Sequence, residues 1–545
     1  MTQHIHTMLK TTLTLSLSVC ATLVMLPSCN DTAYLPDPEK DWAGTTSVFA
    51  PVEEQGFSTY YTPALGRCGD PMPFYDKKAG EYRVMYLQDY DQNGDSYHLF
   101  WCVRTKDGAN YTSMGEILHA GAPVEQDAGV GTGCCVYNEA DKLYYIYYTG
   151  HNAGCAQTEA VLRATSTDGV NFKKDILWML KGENYGFDAT DFRDPQIFQG
   201  DDNLWHMVVS SKLKFAEFTS KDLKVWEPAG GFNMVWDRMC ECPDIFKMGN
   251  YWYLIYSEAY KESWSRKVKY MMADSWENLK RCFDDPGAHW PADDKEGVLD
   301  TRAFYAAKTA SNGSERLIWG WCPTRDGADL YAKNVNVGAG KGNEPKWSGS
   351  LVCHKLVQHP NGTLSVGKVA AIENKYSIPT TVTVMDSKGL KGNKLSGDEA
   401  YVIYNRLGYH NHISFTVKTD GEGDRFGVSF VRGKKEDCSK YYSLVVTPEW
   451  ENGRRRVYFQ EEFYPTKDEP FIQEKRIEAT EGYIFPRDEQ NTYKIDIFTD
   501  NSVVTMYVNG VYGCTERIYG VQKNCWSINN YGGNITISNV SVTQY

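Results

Sequence analysis

Three short segments of the chain pair an acidic residue with a proline at the head of an apolar, aromatic-rich stretch. They are Gly69-Asp70-Pro71-Met72-Pro73-Phe74, Arg193-Asp194-Pro195-Gln196-Ile197-Phe198 and Glu241-Cys242-Pro243-Asp244-Ile245-Phe246. Proline is accepted at the first residue of a strand but not in a central one, and it drives the residue before it into an extended conformation. Asp70 and Asp194 are therefore expected at strand mouths, pointing outward. Three carboxylates gathered at one mouth suit hydrolysis of a glycosidic bond, in which an acid protonates the leaving oxygen while a second group meets the oxocarbenium carbon. A lone Asp-Pro is more simply a cap on a strand start. Two of them together with Glu241, each opening a different unit of one repeat, support the chemical reading.

The repeat appears when strand-opening segments are lined up. Thr132-Gly133-Cys134-Cys135-Val136-Tyr137 and Asp300-Thr301-Arg302-Ala303-Phe304-Tyr305 join the three above, and each of the five is followed by a second strand-like run: Tyr82 to Leu87, Leu143 to Tyr148, Leu204 to Val209, Tyr251 to Tyr256 and Leu317 to Trp321. These hairpins recur at roughly 50 to 65 residues, a period proper to propeller blades or solenoids. Further along several units stands an Asp-capped turn closed by an aromatic, as in Thr105-Lys106-Asp107-Gly108-Ala109-Asn110-Tyr111, Ser166 to Phe172 and Ser220 to Trp226. Long helical periodicity is absent between about residues 48 and 366. The fold class expected is all-β: a five-bladed β-propeller over residues 48–366, then a linker and a C-terminal β-sandwich over 367–545. In a propeller the innermost strands line one channel, so carboxylates far apart in sequence meet there. The segment around Asp386 to Asp398, rich in Gly, Lys and Ser, reads as linker. Strands are expected beyond it at Ile413 to Val417, Phe426 to Val431, Tyr442 to Thr447, Tyr493 to Phe498 and Val503 to Val508.

The N-terminus reads as an export signal over residues 1–28. Lys10 closes a short polar start, and the apolar run from Leu13 to Leu26 is too short for a spanning helix. It ends Leu26-Pro27-Ser28-Cys29, which is similar to a bacterial lipobox with Cys29 as the lipidated residue; residues 29–47 then form a polar, Pro-rich tether. The protein is accordingly expected in the bacterial cell envelope, held by a lipid anchor. A formal net charge of −13 argues against nucleic acid as a partner, since phosphate binding needs clustered Lys and Arg. An aromatic content of 14% suits strands, and it also suits sugar rings, whose apolar faces pack on aromatic side chains. The fifteen cysteines lack the paired spacing of a zinc site and read mostly as buried small residues, so no metal and no organic cofactor is expected.

The residues resemble glycoside hydrolase family 32, the invertases, inulinases and levanases acting on β-fructofuranosides. Arg193-Asp194-Pro195 looks like that family's Arg-Asp-Pro motif and Glu241-Cys242-Pro243-Asp244 like its Glu-Cys-Pro motif. Weaker similarities follow at Asp300 to Ala306, Trp319-Gly320-Trp321, Trp347-Ser348-Gly349 and, in the appended domain, Phe498 to Ser502 and Tyr507 to Gly510. The resemblance implies a retaining double displacement on an oligo- or polysaccharide, with Asp70 as nucleophile, Glu241 as general acid and base, and Asp194 stabilising the transition state. Arg193 would moderate the repulsion among the carboxylates or bond a sugar hydroxyl. Gln88 occupies a place like the family's substrate-binding glutamine, Gly131-Thr132-Gly133 resembles a turn beside the sugar, and Trp321 is a candidate sugar platform. The chain departs from the family around the nucleophile, where Gly69 stands in place of the asparagine of Trp-x-Asn-Asp-Pro-Asn-Gly. Two alternatives stay open: a five-bladed glycosidase of the arabinanase or xylosidase kind, which inverts and spaces its carboxyls more widely, and a surface lipoprotein that binds glycan without turnover.

Overall fold

The computed structural model of the chain describes residues 55–545 apart from 65, 90–97, 235–238, 260–266, 285–296, 302, 325–346, 422–423, 433–439, 448–453, 464–475, 478–482, 487 and 519. The export signal, Cys29 and the tether lie outside the described residues. Five blades follow one another, the first of five strands and the others of four. Blade I holds β1 (Gln55–Phe57) on its outer edge, then β2 (Arg67–Asp76), β3 (Glu81–Asp89), β4 (Leu99–Thr105) and β5 (Asn110–Leu118). Blade II is β6 (Gly129–Asn138), β7 (Leu143–His151), β8 (Glu159–Ser166) and β9 (Lys173–Leu180), and blade III is β10 (Arg193–Gln199), β11 (Trp205–Ser211), β12 (Lys214–Ser220) and β13 (Glu227–Asn233). Blade IV is β14 (Met239–Met248), β15 (Tyr251–Ala259), β16 (Lys267–Ala273) and β17 (Gly297–Val298). Blade V is β18 (Tyr305–Ser311), β19 (Arg316–Pro323), β20 (Gly349–Gln358) and β21 (Leu364–Gly367).

The innermost strands β2, β6, β10, β14 and β18 touch in ring order and close back on β2, with Cys68 of β2 also paired to Gly349 of β20. All five expected hairpins are present. Their second strands are buried on both faces, because each blade is sandwiched between two others; β7, for instance, buries Tyr144 through Tyr148 without a break. The three Asp turns close blades I to III as expected: Asp107 accepts the Ala109 and Asn110 amides, Asp168 those of Val170 and Asn171, and Asp222 those of Lys224 and Val225. Nine residues from Trp276 to Asp284 form an amphipathic helix that packs Trp276, Leu279 and Phe283 on the outer strands of blades III and IV. Two and a half turns are too few to stand out from the surrounding strand pattern. No disulfide joins the described cysteines, most of which are buried.

Residues 378–544 form the sandwich, two sheets of eight strands each among the described residues. His410–Thr419 shows the period of two that positions its core, burying Ile413, Phe415 and Val417 while the residues between them lie half-exposed. The expected linker is instead part of this domain. Val384–Lys388 pairs with Ala400–Arg406, and Lys394–Ser396 pairs with Asn534–Gln544. Val384–Lys388 is an edge strand with five exposed residues in a row, so no apolar alternation marked it.

The two domains are joined through buried polar contacts. Asp300, at the entrance to blade V, accepts the Thr301 amide at 2.6 Å, the Thr515 amide at 2.6 Å and the Thr515 hydroxyl at 2.7 Å, and lies 3.0 Å from His354 Nε2. His354 Nδ1 is 2.7 Å from Tyr507 Oη, and Arg517 donates to the Cys322 carbonyl at 2.8 Å and to Ser350 Oγ at 3.1 Å. Tyr60 Oη donates to the Phe498 carbonyl at 3.0 Å. The sequence stretches around Asp300, Phe498 and Tyr507 thus serve domain docking. Asp300→Ala would leave two buried amides and a hydroxyl without their acceptor; a loss of about 3 kcal/mol in unfolding free energy is expected in urea melts.

Candidate active site

Every innermost strand carries a register shift near its start: between Gly69 and Met72, Gly131 and Gly133, Arg193 and Gln196, Glu241 and Asp244, and Tyr305 and Lys308. A bulge leaves a residue unpaired, bends the strand and re-aims a side chain, and it is also one of the few places in a sheet that accepts proline. The three acidic segments were expected at strand mouths. The structure moves them into these bulges, within strands whose first residues lie one to three positions earlier. Asp194, Cys242 and Ala306 adopt φ of 59°, 53° and 51° at equivalent places in three blades, a left-handed conformation that costs an L-residue roughly 1–2 kcal/mol. Asp70, Thr132, Asp194, Cys242 and Ala306 therefore form one layer around the channel.

Hydrogen bonds link that layer laterally. Thr132 Oγ1 donates to Asp70 Oδ2 at 2.6 Å, and Trp321 Nε1 donates to Asp70 Oδ1 at 2.9 Å. The Cys242 amide donates to Asp194 Oδ2 at 2.8 Å, while the Asp194 amide donates to Thr149 Oγ1, which in turn donates to the Thr132 carbonyl. Glu241 Oε2 accepts from Tyr305 Oη at 2.8 Å, and its Oε1 lies 3.4 Å from the Arg193 guanidinium. Below this layer Lys308 is buried between the Gly133 carbonyl and Gln196 Oε1, both at 3.1 Å, and Asp244 accepts the Thr309 amide and hydroxyl. These contacts form a second, buried polar tier further along the same inner strands.

Asp194 and Asp70 are both shifted by their surroundings. Burial pushes Asp194 up to about 6; Arg193 and the Cys242 amide pull it down, and Asp70 adds repulsion. Asp70 is also raised, chiefly by burial, against the Thr132 and Trp321 donors that stabilise its charge, with Glu241 adding repulsion. Both oxygens of Asp70 thus receive a donor aimed at the anion. That is the arrangement a nucleophile needs.

Of the expected residues, Asp70, Asp194, Glu241, Arg193 and Thr132 come together directly. Trp321 differs from expectation: only 1% exposed, it offers no open sugar platform but orients Asp70 through its ring N–H. Gln88 is wholly buried in β3 with its carboxamide beside Gly66, one strand behind the acid layer. The missing side chain at Gly69 has a structural counterpart, because a Cβ there would fall 2.2 Å from Trp347 Cη2. The Trp347 indole occupies that space, half-buried, 6.3 Å from Trp321 and 4.2 Å from His98 between ring centroids. Sequence reasoning did not single out Tyr305, Thr149 or Cys242 as site residues. Tyr305 and Cys242 hold the same bulge positions as the acids, so the repeat register contained the information.

A cluster of Glu373, His412 and Asp496 elsewhere has donor atoms close enough for a metal ion. Lys368 Nζ stands there already, 2.6 Å from Glu373 and 2.9 Å from Asp496, and its ammonium offsets their charge where an ion would sit.

A closed ring of bulged strands that collects three carboxylates and their donors at one mouth defines a propeller of the glycoside hydrolase class. Residues 61–356 match the glycosyl hydrolases family 32 N-terminal domain, and residues 362–542 match the family 32, BT1760-like, C-terminal domain. The chain belongs to glycosyl hydrolase family 32. It is 28% identical over 225 residues to sucrose-6-phosphate hydrolase of Zymomonas mobilis, covering 36% of this chain and only 42% of that relative. It is 24% identical over 364 residues to the levanbiose-producing levanase of Bacillus subtilis, covering 62% of this chain and 66% of the relative. Among solved structures, fructan 1-exohydrolase IIa from Cichorium intybus superposes with a TM-score of 0.66 at 16% identity, covering 90% of this chain and 97% of that one. The exo-inulinase from Aspergillus awamori gives 0.64 at 15%, covering 90% and 98%. At such identities the likeness shows the shared fold, a five-bladed propeller followed by a sandwich.

A carboxyl raised on folding stabilises the fold fully only below its unfolded value, near 4, and that contribution is lost as pH climbs through the folded value, here about 6 for Asp194. Asp194→Asn removes the buried charge. Its stability relative to the parent is expected to be about 1–3 kcal/mol more favourable at pH 7.5 than at pH 4 in paired urea melts. An equal difference at both pH values would show that the charge is not responsible.

Proposed function

We propose that the protein hydrolyses β-fructofuranosidic bonds in fructans or sucrose-like sugars with retention of configuration. The observation that carries this reading is the paired placement of Asp70 and Glu241. Asp70 is held by two donors in blade I, and Glu241 is held by Tyr305 and Arg193 in blade IV, at the same level of one channel. Asp70 attacks the anomeric carbon as the bond to the leaving oxygen breaks, and Glu241 delivers its proton to that oxygen. Water then enters; Glu241 takes a proton from it as its oxygen displaces Asp70, and both groups return to their starting states. Asp194 contributes negative charge beside the oxocarbenium-like centre. Family membership supports the substrate class, as do relatives named for levan and sucrose 6-phosphate.

Asp70→Asn and Glu241→Gln preserve shape while removing the nucleophile and the transferable proton. Each is expected to lower kcat on levan, inulin or sucrose by at least about 10²–10⁴-fold, with the fold intact by circular dichroism. NMR of the first product is expected to show the β-anomer. Parent-like turnover in either variant, or an inverted first product, would sink the mechanism, and glycan binding with no parental turnover would favour a binding protein.

We further propose that Cys29 carries a lipid that holds the protein in the bacterial cell envelope. The support is the sequence Leu26-Pro27-Ser28-Cys29 closing an apolar run, followed by a polar tether. No helix among the described residues is long and apolar enough to cross a membrane. Cys29→Ala is expected to move the protein from the membrane fraction to the soluble fraction, and retention in the membrane would refute the anchor.

A further inference from the structure

Arg193 is shared unequally among carboxylates. Its Nη1 lies 3.0 Å from both oxygens of Glu159, whereas its Nη2 reaches Glu241 Oε1 only at 3.4 Å. Asp191 Oδ1 stands 3.4 Å from the same Nη1. Glu159 opens β8 in blade II, two blades from Glu241, and is itself fixed: the Phe192 amide donates to its Oε2 at 2.9 Å, and His151 Nδ1 is 3.4 Å from its Oε1. Glu159 is buried and lies behind Arg193. Burial works against its charge, but His151, Arg193 and the Phe192 amide overcome that and hold it below the ordinary glutamate range. It is therefore a permanent anion at working pH, paired with a guanidinium that also touches the proposed acid.

We propose that Glu159 is a positioning residue whose charge detains the Arg193 guanidinium, so that Glu241 keeps the proton it must deliver to the leaving oxygen. A cation within about 4–6 Å of a carboxyl favours its ionised form. Left without Glu159, Arg193 would turn its full charge on Glu241 and strip the acid of its proton at lower pH. Glu159 thus acts as a counterweight: Arg193 orients Glu241 through a long contact while most of its charge is spent elsewhere. Groups facing Glu241 include Arg193, Tyr305, Cys242 and Asp70; those facing Arg193 include Glu159, Asp194, Asp191, Met239 and, through Glu159, His151. All but Glu159 are unchanged in its variants, so a change in the pH profile reports on Glu159.

The inference rests on Glu241 being the acid, and the experiment separates the two. The pH dependence of kcat/KM is measured for the parent, Glu159→Gln, Glu159→Asp and Glu241→Gln on the best fructan substrate. Loss of the alkaline limb in Glu241→Gln identifies that limb with the acid; a limb persisting there would overturn the assignment of Glu241 and, with it, this inference. With the limb so identified, Glu159→Gln is expected to shift it to lower pH by about one pH unit, while activity on the acid side of the profile stays within a few-fold of the parent. Glu159→Asp keeps the charge but retracts it, and is expected to fall between the two. A limb that stays in place while activity falls equally at every pH would mean a merely structural role. Should the Gln variant fail to fold, the Asp variant decides: an unshifted limb overturns the inference.

Discussion

Confining several carboxylates at one partly buried channel mouth is unfavourable twice over, because each loses hydration and each repels the others. Most of the polar design near the channel mouth offsets that cost. Thr132 and Trp321 each give a donor to Asp70, the Cys242 amide gives one to Asp194, and Tyr305 gives one to Glu241. Arg193 supplies a full positive charge on one side and Lys308 another from below. The offset is incomplete. Asp194 still sits near 6 and Asp70 is still raised by burial, so the site keeps some electrostatic strain that a fold selected for stability alone would discard.

The bulge is the structural device that makes this possible. A regular inner strand would present alternate side chains to the channel and the neighbouring blade, and would exclude proline. One bulge per strand breaks that alternation at the same height in all five blades, and the ring brings the unpaired residues into a single layer. Glycine helps where backbones crowd: a Cβ at Gly133 would lie 2.0 Å from the Tyr147 carbonyl oxygen of the next strand. The sandwich braces the ring at its seam. Asp300, His354 and Arg517 tie it to blade V, whose β20 also pairs with β2 at the junction of the last and first blades.

Much of this was legible in the chain itself. Asp-Pro and Glu-Cys-Pro segments, strand-opening repeats and aromatic-closed Asp turns are local patterns with local physical causes, and they marked the five blades and the three acids. Edge strands such as Val384–Lys388 were not legible, since exposed polar strands carry no apolar period. The helix at Trp276–Asp284 was too short to stand out.

The sequence by itself determined the residue types available for chemistry and the repeat that would gather them, because both are written in composition and spacing. Only the tertiary structure decided what each neighbour does. Trp321 became a donor to Asp70 instead of a sugar platform, Trp347 filled the space left by Gly69, and Glu159 acquired its hold on Arg193. Those relations join residues 34 to 278 positions apart, whose meeting depends on ring closure and strand register. No local pattern encodes which groups a closed ring brings within hydrogen-bonding distance, or how a charge is divided among them once they are partly buried.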